Sequence, residues 1–124
     1  MKTIKELLRG LRASIDTKTL LWTNPNPSNS FGATSFNVES GYDCIEIVTT
    51  SGMTVRGAGE FNMIRYGWSG GGAVVFARSA TYDTSNGSVW FDNAIKAGLA
   101  NMTNFETDNS ALKPYKIYGI KRGS

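Results

Sequence analysis

Apolar residues recur along the first sixteen positions at helical spacing: Ile4, Leu7, Leu8, Leu11 and Ile15 fall at i, i+3, i+4, i+7 and i+11 on one face. Thr3 with Glu6 three places on matches a capping box, in which hydroxyl and carboxylate satisfy orphan amides reciprocally. The pattern predicts a short amphipathic helix within residues 1–16, weakened by Gly10. Ile4, Leu8, Leu11 and Ile15 step by four, three and four, the spacing of a two-heptad seam. Such a stripe either docks on the chain's own body or packs against copies of itself. A membrane-surface or nucleic-acid arm is a remoter third use.

From residue 17 onward the period changes to two. Thr19–Trp22 reads as a strand that ends at Asn24-Pro25-Asn26-Pro27, whose prolines cannot donate to a ladder. Further strands are expected at Thr34–Val38, at Tyr42–Thr50 with Ile45 and Ile47 on one face, and weakly at Met53–Arg56. Glu60–Trp68 alternates Phe61, Met63, Arg65 and Gly67 with Asn62, Ile64, Tyr66 and Trp68. Ala73–Asp83 and Ser88–Ile95 flank Asn86-Gly87, the pair favoured in two-residue hairpin turns. That turn would set Tyr82 across from Phe91 and Asp83 across from Trp90. Residues 97–110 have little period and read as a long surface loop, with a helical turn near Ile95–Met102. Pro114 opens a last strand through Lys121, apolar on both faces at several positions. Seven or eight short strands predict an all-β domain over residues 17–124, a jelly-roll-like β-sandwich behind the helix of residues 1–16.

Composition agrees with sheet: Ser, Thr, Asn and Gly make up 48 of 124 residues. The net charge of +3 sits wholly in the first fifteen residues, where Lys2, Lys5, Arg9 and Arg12 face Glu6, so the β body is neutral. Neither this charge nor its distribution points to nucleic acid. No apolar run reaches the roughly 20 residues of a bilayer span, so no membrane partner is expected, and no signal peptide is read. The single Cys44 agrees with synthesis in a reducing cytoplasm.

The chain has no histidine, which removes Ser-His-Asp and Cys-His catalysis and imidazole metal sites; no metal, cofactor or catalytic residue is assigned. A carboxylate-dependent hydrolase would need a pair such as Asp83 and Asp92, whose expected diagonal suits the ~5 to 9 Å of glycoside hydrolysis. Gly70-Gly71-Gly72 lacks the Lys and helix of a phosphate loop and reads as a hairpin connection. Lys113, Lys116, Lys121 and Arg122 read as solubilising, edge-protecting charge. Tyr66 and Trp68 share a face and are the candidate glycan or receptor surface, since flat rings with a polar handle stack on sugars.

Three segments carry a likeness: Leu21-Trp22-Thr23-Asn24-Pro25-Asn26-Pro27-Ser28-Asn29-Ser30-Phe31, Ser40-Gly41-Tyr42-Asp43, and Lys113-Pro114-Tyr115-Lys116-Ile117-Tyr118-Gly119-Ile120-Lys121. Together they resemble a β-rich module of structural proteins in tailed bacteriophages and prophages, often at the C-terminal end of tail or fibre chains. The likeness implies a virion protein without catalysis, made in the bacterial host cytoplasm. A head fibre, capsid-decorating protein or tail fibre module would assemble as a homo-oligomer, a trimer by fibre analogy, beside other virion proteins. Its helix would serve assembly or attachment. A glycan- or receptor-binding adhesin used in host attachment is the alternative, and a small hydrolase the third.

Overall fold

Alternating side chains along ten segments, punctuated by Gly, Pro, Asn and Asp, give an all-β fold of two antiparallel sheets among the described residues. The computed structural model describes residues 3–4, 15–69, 72–99 and 105–123. The strands are β1 Thr17–Thr23, β2 Thr34–Asn37, β3 Cys44–Thr49, β4 Thr54–Gly57, β5 Gly59–Ser69, β6 Gly72–Tyr82, β7 Ser88–Phe91, β8 Ile95–Gly98, β9 Glu106–Thr107 and β10 Pro114–Lys121. The first sheet runs β1-β10-β3-β4. In the second, β5 pairs with β6 along its whole length, while β7 and β8 follow one another along β6's other edge and are bordered by β2 and β9. Of the expected helix, only Thr3, Ile4, Ile15 and Asp16 belong to the described residues; Leu7, Leu8 and Leu11 lie outside them. Both described members of the stripe are exposed, Ile4 at 78% and Ile15 at 61%.

The sheets share one core. Ile45, Ile47 and Ile117 of the first sheet meet Met63, Val74, Phe76, Ala80, Tyr82, Val89 and Phe91 of the second. Burying side chains of this size stabilises by about 1.5–3 kcal/mol each against exposure. Along one side the layers are joined by rings: Trp22 of β1 stacks on Phe36 of β2 at 4.8 Å, and Phe31 meets Phe91 edge-on at 5.4 Å. Along the other, the chain passes from β4 in one sheet to β5 in the other across Ala58. The basic strand β10 lies between β1 and β3, so its lysines do not guard an edge as expected.

Two further expectations are corrected. The hairpin pairs Tyr82 with Val89 and Thr81 with Trp90, two positions from the expected register. The cause is a longer turn: Asp83 Oδ1 accepts from the amide and hydroxyl of Ser85, and the Gly87 amide donates to the Asp83 carbonyl at 2.8 Å. Asp83 N–H donates to the Ser88 carbonyl, so four residues are held in the loop. A shift of two preserves the faces. The second correction concerns residues 95–107, where the expected loop and helical turn are instead β8 and β9, with residues 100–104 outside the described set. Backbone pairing of β8 along β6 and of β9 along β8 prevailed over weak local propensity there.

The three segments that carry the sequence likeness meet around β10. Trp22 pairs with Ile117 and Thr23 with Lys116, while the Tyr42 ring lies against Gly119 and the Asp43 amide donates to the Ile120 carbonyl. Buried Asn24 donates from Nδ2 to the Pro114 carbonyl at 2.9 Å and accepts the Asn26 amide at Oδ1 at 2.8 Å. These residues are thus fold-holding ones. Asn24→Ala orphans both groups and should lower unfolding free energy by about 2 kcal/mol, read as a fall in the urea midpoint.

Candidate functional site

Alternation along β5 sends Met63 inward, with no exposure, and Ile64, Tyr66 and Trp68 outward. Register then builds rows across the outer face of the second sheet. Trp68 stands beside Ala73, Tyr66 beside Val75 and Ala97, and Ile64 beside Ala77, Ile95 and Thr107. The Leu99 amide donates to the Ala73 carbonyl, extending the first row to Leu99. Phe105 falls on the side of Thr107 by the same alternation. Tyr66 is 71% and Trp68 79% exposed, and Phe105, Ile64, Ile95 and Leu99 are exposed with them. The two aromatic residues singled out from sequence therefore do share an exposed face.

Trp90 belongs to this face too, in a row with Thr81 and Glu60. Counting by twos from Trp90 would put Ile95 on the inner side. One extra residue between β7 and β8 restores it: Phe91 pairs with Ala80, whereas Ile95 pairs with Ala77. No charged side chain stands in the three rows from Ile64 to Trp68 among the described residues.

The outer face of the first sheet is the opposite in character. Lys18 contacts buried Glu46 at 2.6 Å, Arg56 contacts Glu46 at 3.1 Å and Asp16 at 3.2 Å, and Lys18 also lies over Tyr118 at 4.6 Å. The hydrogen bond from Lys18 holds the Glu46 carboxyl below its ordinary range against the opposing effect of burial, with Arg56 adding to the lowering. A carboxylate depressed in the folded state contributes stability above its unfolded value of about 4.5, lost as pH falls through the lower folded value. Thermal stability should therefore fall on acidification below about pH 4.5. Glu46→Gln should remove part of that slope and cost about 1–2 kcal/mol at pH 7, checked by melts across pH.

The candidate hydrolytic pair does not come together. Asp83 pairs with Ser88, while the Asp92 amide donates to the Ser79 carbonyl, so the two stand four ladder positions apart, roughly 13 Å along the strand. That exceeds the ~5–9.5 Å used in glycoside hydrolysis. Asp83 is committed to its turn, and its hydrogen bonds from Ser85 hold its pKa below the usual value, opposite to the shift a general acid needs. Ser69 pairs with Gly72, as a hairpin through the glycine run requires; Gly70 and Gly71 lie outside the described residues. Among the described residues no three Cys, Asp or Glu converge as a metal site would require, and no helix is long and apolar enough to cross a membrane.

Sequence reading missed Arg78, the largest side chain with almost no exposure. It donates from one terminal nitrogen to the Asp92 carbonyl at 2.8 Å and from the other to the Ala111 carbonyl at 3.0 Å, and its guanidinium faces the Phe31 ring at 5.4 Å. Burial pushes its pKa down to about 10. Around it, Asn93 Oδ1 accepts from the Ala33 amide and from Asn109 Nδ2, and Asn109 Oδ1 accepts from the Ala94 amide. Three loops are clamped into one end of the molecule. The signal was present: Arg78 occupies the same alternate set as Val74, Phe76, Ala80 and Tyr82. Shallow depressions among the described residues include one of about 270 Å³ beside Ile64, Ser79 and Ile95, one of about 350 Å³ beside Trp22, Asn24 and Phe36, and one of about 310 Å³ beside Pro27, Thr50 and Tyr115. None of the three gathers a convergent set of ionisable groups: Arg78 and Asp92 line the first and Tyr115 the third. No family model matches the chain, and neither does a curated protein or a solved structure.

Proposed function

We propose that this chain is a non-enzymatic structural component of a bacteriophage virion, a small oligomeric surface protein of head-fibre, decoration or tail-fibre type. The observation that carries the assembling role is the aromatic-rich outer face of the second sheet, whose rows from Ile64 to Trp68 hold no charged side chain among the described residues, set opposite an ion-paired face on the first. The phage assignment rests on the likeness of the segments at Leu21–Phe31, Ser40–Asp43 and Lys113–Lys121, and their packing around β10 supports reading them as the signature of one fold module. In this reading the two sheets are the layers of a jelly-roll-like sandwich, residues 1–16 form an assembly or attachment helix, and the oligomer is a trimer by fibre analogy. The site of action is the virion, after synthesis in the bacterial cytoplasm.

The test is mass spectrometry of gradient-purified particles from the source strain. The chain should band with the capsid or tail proteins in fixed stoichiometry. Recovery only in the soluble lysate, with none in particles, would overturn the proposal. Exposure of Tyr66 and Trp68 favours a second reading, a glycan- or receptor-binding adhesin. Glycan-array binding abolished by Trp68→Ala would favour it over the purely structural role.

A further inference from the structure

From the rows on the second sheet we infer that this outer face is where a second copy of the chain docks, same face to same face; the inference rests on the assembling role proposed above. Its relief is self-complementary. Ile64, Tyr66 and Trp68 of β5 form a ridge along the sheet's margin, and beside it Ala73, Val75 and Ala77 of β6 form a low floor. A two-fold axis between copies lays each ridge on the other's floor, so one patch serves as both knob and socket and joins copies in pairs, in place of the trimer that fibre analogy suggests. Sheets packed face to face stand about 10 Å apart, a gap that large side chains from one layer bridge when the other presents small ones.

Area and charge agree. Taking about 150–250 Å² for a whole large side chain, the exposed fractions of Trp68, Tyr66, Phe105, Ile64, Ile95 and Leu99 amount to about 700 Å². That exceeds the ~300–600 Å² of the largest patch on a typical monomer. It approaches the ~800 Å² that each partner contributes to a standard stable interface. The rows from Ile64 to Trp68 hold no charged side chain among the described residues, as the buried centre of an interface requires. A sugar would instead need donors and acceptors next to the rings, whereas Asn62, Ser79 and Asp92 stand in the row beyond Ile64, with Ser79 and Asn62 bonded to each other at 2.8 Å.

The test is sedimentation equilibrium of the full chain across concentration, with three proteins compared. Wild type should associate into pairs, at twice 13.5 kDa. The Tyr66→Lys/Trp68→Lys variant should stay at monomer mass at concentrations where wild type is associated, with unchanged far-UV circular dichroism. Should two lysines unfold the sheet, Phe105→Asp on the opposite rim asks the same question and should weaken association at least tenfold. Leu8→Asp/Leu11→Asp should still associate through the face. Association kept in the face variants and lost in the Leu8→Asp/Leu11→Asp protein would overturn the inference while leaving an assembling chain in place. Wild type at monomer mass at every concentration would overturn it too. Particle composition decides the virion reading separately.

Discussion

Arg78→Ala is expected to lower the free energy of unfolding by about 3–5 kcal/mol, because the buried Ala111 carbonyl and the half-buried Asp92 carbonyl lose charged donors and the largest buried side chain leaves a void. Part of this loss is offset, since the folded chain no longer desolvates a cation. The remainder is still a large fraction of the ~5–15 kcal/mol that holds a typical domain folded. Arg78→Met separates the contributions: it keeps most of the volume and orphans the same two carbonyls, so it should cost about half as much. Urea unfolding of the three proteins measures both differences. Equal midpoints for wild type and Arg78→Ala would show that the carbonyls of Asp92 and Ala111 do not depend on the guanidinium.

The second large effect is at Gly87. Its φ of +79° lies in the left-handed region, and a Cβ there would stand 2.0 Å from the Val38 carbonyl oxygen. That oxygen is backbone, held beside the turn because the Val38 amide donates to the Gly87 carbonyl at 2.8 Å. Gly87→Ala therefore combines about 1–2 kcal/mol of backbone strain with displacement of the end of β2, for a total of about 3–4 kcal/mol. Gly52→Ala is the control, with φ at +92° and nothing within 4 Å of its Cβ. It should show the strain alone, about 1–2 kcal/mol. Thermal melts of the two variants give the difference, and equal losses would remove the steric part of the explanation.

These two residues also mark where the sequence was and was not legible. Period-two alternation located β5 and β6 because one face of each is packed and the other open, which imposes a pattern no helix shares. The same alternation set Tyr66 and Trp68 side by side without any structure. Asn86-Gly87 announced a turn correctly. Its length, however, depends on Asp83 capturing Ser85, a side-chain competition that the dipeptide does not reveal. Ile95, Leu99 and Phe105 were illegible as partners of the aromatic pair, because an extra residue between β7 and β8 changes which parity faces out. Arg78 could have been noticed as a cation in an apolar alternate set, but its carbonyl partners lie 14 and 33 residues away.

Electron cryomicroscopy of the purified particles tests the virion assignment and the docking face together. The prediction is a β body of two antiparallel sheets repeated at regular positions on the particle, with Tyr66 and Trp68 of each copy covered by the same face of a neighbour. Particles carrying no such body, or bodies whose Trp68 face is open to solvent while another surface joins the copies, would contradict it.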